Sequence, residues 1–254
     1  MATAGRSNRR AESLPEHGSG SAAVLMRSAV IGLLALALVG LFWVSRPQWV
    51  ADMRLWRAVG DASVVLLALS LAIGPAGRLF PWLSPLGRWR RQFGIWTALT
   101  GLVHTLLVLW QWVSFDLGRL MGYEFVPQLG RTARLEPGFG LANLMGLVAM
   151  AWLLILLATS SDRAVRRLGP AVWSWVQGFA HVVFYLVVLH AAYFLYMHYT
   201  LSFHRAVPEP NWFRLPLLLL AGSVLVLQIA SSVRGSRGRP TAHAGWSTSP
   251  GPAP

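Results

Sequence analysis

The stretch WSWVQGFAHVVFYLVVLHAAYFLYMHY, Trp173 to Tyr199, decides the fold. About 20 consecutive apolar residues suffice for a helix to cross the hydrocarbon core of a bilayer, and this run is long enough. Yet it carries His181, His190 and His198. Ionisable side chains inside a membrane are costly and usually functional, so the stretch that sets the fold also points to a site.

The rest of the sequence extends the first half of that reading. Of 254 residues, 55% are hydrophobic and 12% charged, whereas a soluble domain carries about 25% charge. The expected fold is an all-α, polytopic membrane helix bundle. Six spans are legible: Ser28–Val44, Ala62–Phe80, Phe93–Val113, Phe139–Ala158, Trp173–Tyr196 and Phe213–Ser231. The first resembles a signal peptide, but its apolar run continues to Val44 without a convincing cleavage site, which predicts an uncleaved anchor. Residues 1–21 and 234–254, rich in small and polar residues, are expected to be disordered tails around a transmembrane domain at 22–233. Absence of cysteine excludes disulfides, thiolate catalysis and iron–sulfur clusters. It leaves His or Met as axial ligands for any heme. The net charge of +13 lies mostly beside apolar spans and accompanies no nucleic-acid recognition motif, so no nucleic-acid partner is expected. No nucleotide loop, catalytic triad or carboxylate pair is present.

Arg in short loops sets orientation. Arg78, Arg88, Arg90 and Arg91 lie between spans two and three, and Arg163, Arg166 and Arg167 between four and five. The other loops carry the acids: Asp52 and Asp61 in the first, Asp116, Glu124 and Glu136 in the second, Glu209 in the third. This predicts cytoplasmic termini, an outward-facing loop at Ser114–Gly138, and no Asp or Glu inside any span. Trp43, Trp49, Trp82, Trp112, Trp173 and Trp212 sit near span ends, as an interfacial aromatic belt would.

His17 and His243 fall in the tails and His204 in an outer loop. In span three, Thr97, Thr100, Gly101 and His104 share a face by helical spacing. A flat macrocycle could lie there; close helix packing around a hydrogen-bonded His is the ordinary alternative. His104 stands ten residues past Gly94, about 15 Å, and His181 eight past Trp173, about 12 Å. Two imidazoles at one depth on facing helices are what a six-coordinate b-type heme requires, so His104 and His181 are the expected pair. His190 lies about 13–14 Å higher on roughly the opposite face, and His198 near the outer surface. Zinc is the rival metal, but it favours four close ligands, often with a carboxylate or Cys. Phe184, Tyr185, Tyr193, Phe194 and Tyr196 could pack on a porphyrin, although packing against other helices is their commoner role.

Several segments in order resemble a known family. Gly60 precedes a span ending Ile73-Gly74-Pro75; Arg88-Trp-Arg90-Arg91-Gln-Phe-Gly94-Ile-Trp96 leads into His104; Thr159-Ser160, Leu168-Gly169 and Trp173 approach span five. From Gly60 to Tyr196 the chain is similar to the ferric-reductase-like transmembrane domain, in particular to the heme-binding membrane subunit of the bacterial protein-methionine-sulfoxide reductase system. That family carries two His thirteen residues apart in span five. Placing His190 on the second puts Gln177, a poor heme ligand, on the first, with His181 one turn later.

The resemblance implies transmembrane electron transfer through heme b in the cell membrane. A cytosolic flavin reductase or quinol would be the donor, and an outward-facing reductase subunit or ferric iron the acceptor; FMN or quinone is a further candidate cofactor. One heme is expected at His104 and His181. A second, at His190 with His198 or a non-His ligand, stays open, although Leu117 and Gly118 stand where span three would have to supply an upper partner. Arg88, Arg90 and Arg91 could pair with heme propionates or a flavin phosphate, or simply anchor the inner loop. A heme-free scaffold subunit of the same superfamily and a small transporter are the alternatives.

Overall fold

A computed structural model describes residues 18–134, 137–198 and 211–237. Among them, six helical stretches are long and apolar enough to cross a membrane. Helix α1 is Gly18–Val44 and α2 Ala51–Leu79. A 3-10 segment, Pro81–Trp89, leads into α3, Arg90–Leu107, which runs on into a wide π turn at Val108–Trp112. Helix α5 is Pro137–Ala158. The fifth span is made of α7 (Pro170–Gly178), α8 (Ala180–Ala192) and a second π turn, Tyr193–His198. Helix α9, Arg214–Arg237, closes the bundle.

Local chemistry explains the breaks. Phe80 leaves α2 in extended conformation just before Pro81, as the residue before a proline favours. The short helix α6, Asp162–Leu168, is capped by Ser161, whose hydroxyl accepts from the Ala164 amide. Gly169, at φ +77°, then turns the chain and Pro170 opens α7, the first-turn position where its missing N–H costs nothing.

Helix α2 is the axle. In its most apolar window 61% of residues are buried, against 17–33% in the other five spans. Leu67, Ala68 and Leu71 of α2 pack with Ala98, Ala149, Met150, Leu153, Val183 and Phe184 from α3, α5 and α8. Small residues permit close approach: the Ser63 hydroxyl donates to the Thr97 carbonyl at 3.1 Å, and Gly101 faces Ser63, Met150 and Leu153.

Three expectations change. Asp61 is not in a loop: α2 begins at Ala51, eleven residues before the apolar run, so the acid lies within a span. The polar start of α2 hid this, because Asp52, Arg54, Arg57 and Asp61 interrupt its hydropathy. The long connection carries regular structure over residues 117–134. The short helix α4 (Leu117–Leu120) is capped by Asp116, and strands β1 (Tyr123–Val126) and β2 (Arg131–Arg134) pair antiparallel around Gly130 at φ +59°. Trp49, expected at a span end, does not face outward but is buried against Arg46 and Arg57. Helix α1 starts at Gly18 and α9 runs to Arg237, each entering a stretch expected as tail; the remaining tail residues lie outside those described.

Candidate functional site

Helix α3 presents His104 to the start of α2. Its Nδ1 lies 2.7 Å from the Trp56 carbonyl oxygen. A carbonyl only accepts, so Nδ1 carries the proton and donates, leaving the Nε2 lone pair available. One turn beyond Trp56, Gly60 makes room: a Cβ there would stand 2.8 Å from His104 Nδ1.

Helix α8 repeats the arrangement with α5. His190 Nδ1 donates to the Ala142 carbonyl at 2.7 Å. One turn beyond Ala142, a Cβ on Gly146 would stand 2.8 Å from His190 Nδ1. Each carbonyl lies 48 residues before its histidine. Each histidine is followed within about one turn by a π turn, a distortion frequent at functional sites. The two helix pairs thus offer equivalent imidazoles, each fixed in tautomer and rotation by a backbone carbonyl.

The rings face one another, centres 6.4 Å apart and planes at 78°. Both line a cavity of about 1140 Å³, counting its open mouth, with walls that include Gly101, Thr105, Met150, Leu153 and Val187. Phe194, Trp112, Phe139 and His198 pack ring to ring over the end nearest the β1–β2 hairpin, and Trp56 stacks on Trp112.

This donor set fits a heme. Two axial imidazoles on one iron, each bonded at about 2 Å with its ring centre about 1 Å further back, leave centres roughly 6 Å apart. Both Nδ1 atoms are already engaged by carbonyls, as metal-bound histidines require of their second nitrogen. The glycine seats would be filled by any larger residue. Among the described residues no three His, Cys, Asp or Glu side chains converge as a closed zinc site would need.

The pairing expected between His104 and His181 is not the one the structure forms. His181 sits near the opposite end of the bundle, its Nδ1 donating to Gly178 O of its own helix at 3.0 Å. It lines a separate pocket with Arg78, Arg90 and Gln228. Depth counted from Gly94 and Trp173 misled, because the two helices do not start level. Gln177 donates to Leu156 O and Thr159 Oγ1 at the C-terminal end of α5, so His190, about 20 Å further along, reaches His104. Arg88, at the end of the 3-10 segment, and Arg90 and Arg91, at the start of α3, lie 13–16 residues before His104, about 20 Å away along the helix. Arg91 instead pairs with Asp162 at 3.0 Å. His198 belongs to the aromatic cover beside Phe139 and Phe194. His17, His204 and His243 lie outside the described residues.

Asp61 and Arg46 were missed. Arg46, 1% exposed, meets at 2.6 Å the carboxylate of Asp61, which lines the cavity. The signal was available: Asp61 adjoins Gly60, four residues from Trp56, in a helix whose period continues through the charges.

A family model for the ferric reductase like transmembrane component matches residues 59–188. The chain belongs to that family. The match begins one residue before Gly60 and ends just before His190. The chain is 32% identical over 136 residues to the protein-methionine-sulfoxide reductase heme-binding subunit MsrQ of Ralstonia nicotianae, covering 53% of this chain and 55% of that one. It is 27% identical over 181 residues to the MsrQ of Rhodospirillum rubrum, covering 71% and 74%. It is 28% identical over 135 residues to the magnetosome protein MamZ of Paramagnetospirillum magneticum, 19% of that longer protein. The chain thus spans about half the length of the first of these relatives. Family and helices together make it a multi-pass membrane protein.

Proposed function

We propose that this chain is a membrane electron-transfer subunit that holds one b-type heme between His104 and His190. The observation that carries this reading is the facing imidazole pair, 6.4 Å between centres, with each Nδ1 committed to a carbonyl. The relatives named as heme-binding subunits support the same cofactor. Bound there, the heme would supply one-electron redox chemistry between its ferric and ferrous forms.

The protein's share is positional. The Trp56 and Ala142 carbonyls hold both imidazoles with Nε2 toward the cavity. Gly60 and Gly146 let the rings lie against the helices. Met150, Leu153 and Val187 keep the walls apolar, and Trp112, Phe139 and Phe194 cover one end. One heme rather than two is favoured by Gln177, whose amide is spent on Leu156 and Thr159.

The Arg-rich connections between spans two and three and between four and five gather at the end remote from this pair, which by the positive-inside rule supports a cytoplasmic location for that end and for the termini. Electrons would enter there from a cytosolic flavin reductase or quinol. They would leave on the side of the β1–β2 hairpin, toward an oxidoreductase partner or ferric iron.

The test is a dithionite-reduced minus oxidised spectrum of the purified protein, expressed with ample heme supply. The expected result is a b-type α-band with about one heme per chain; a heme-free protein overturns the reading and leaves the scaffold.

A further inference from the structure

Asp61 and Arg46 form an ion pair inside the bundle that the electron-transfer reading does not by itself require. Arg46 folds in from the α1–α2 connection. One terminal nitrogen meets Asp61 at 2.6 Å; the other donates to Asn211 Oδ1 at 3.2 Å. The rings of Phe42, Trp49 and Trp212 enclose the guanidinium at 4.8–5.7 Å. Such a pair is a weak source of stability, because its desolvation offsets much of its attraction and an apolar pair of similar volume often does as well. The presence of Asp61 in a span points to function.

Position supplies the function. Asp61 follows Gly60, the seat of His104, and lines the same cavity as both imidazoles; Arg57 and Asn211 share that wall. Charges in a low-dielectric interior act over longer distances than in water. We propose that Asp61 and Arg46 are positioning residues that set the midpoint potential of the group held between His104 and His190. The Asp61 carboxylate opposes arrival of an electron, and the Arg46 guanidinium favours it. This rests on the heme reading above.

The test is a spectroelectrochemical redox titration of the full chain in lipid nanodiscs, with heme per chain measured alongside. Asp61→Asn should raise the midpoint potential and Arg46→Gln should lower it. The double variant should return close to wild type, because both charges are gone. Opposite signs are the electrostatic signature, since a merely structural pair gives no reason for them. Unmoved potentials in heme-replete variants, or shifts of the same sign, overturn the proposal. So does loss of heme from both single variants, the outcome of a purely structural pair. A wild type without heme is a different result: it removes the electron-transfer reading itself.

Discussion

The imidazole of His104 stands 6.4 Å from that of His190, with the planes at 78°. The two rings come from α3 and α8, 86 positions apart in the chain, yet are seated by the same device. A carbonyl fixes Nδ1, and a glycine one turn later gives the ring its space.

That angle has a spectroscopic consequence. Near-parallel axial imidazoles split the two iron orbitals that interact with their π systems, whereas near-perpendicular ones leave them almost degenerate. The oxidised protein should therefore give a strongly anisotropic low-spin electron paramagnetic resonance signal at low temperature. A signal typical of parallel ligand planes would contradict the observed angle.

The glycine seats should be intolerant of even one methyl group. Gly60→Ala and Gly146→Ala each place a carbon 2.8 Å from an Nδ1, so the ring must move and its carbonyl bond weakens. Loss of such second-shell support typically costs about 10–100-fold in metal affinity. Heme retention under competition by apomyoglobin measures it. Gly40→Ala, with nothing within 4 Å of the added carbon, is the control. It should retain heme and gain up to about 1 kcal/mol of helix stability.

The arginines at the start of α3 should not matter for heme content. The triple variant Arg88→Gln, Arg90→Gln, Arg91→Gln removes charge about 20 Å along α3 from His104. It should purify with wild-type heme per chain, read by pyridine hemochrome assay. Its loss of the exposed Arg91–Asp162 pair should cost no more than about 1 kcal/mol. Loss of heme would place a propionate at that end.

Much of the architecture was legible in the sequence because hydrocarbon thickness imposes one length on every span. All six spans follow from that constraint, as does the position of His104 inside the third. The partner did not. Counting depth from Gly94 and Trp173 assumes that both helices start level, but α7 is docked by Gln177 and Trp173 onto Leu156 and Thr159, which fixes its level independently of hydropathy. Hydropathy assigns Asp61 to a loop because charge lowers it whether or not the charge is neutralised, and the partner Arg46 comes from a different segment. The β1–β2 hairpin was missed because its strands are four residues each, too short for a clear alternating pattern.

The central claim is that His190, not His181, completes the site with His104. The decisive measurement is heme per chain, with the reduced-minus-oxidised spectrum, for His190→Ala beside His181→Ala. His190→Ala is expected to lose the b-type signal, as is His104→Ala, while His181→Ala is expected to keep it. Heme lost from His181→Ala and retained in His190→Ala would contradict it.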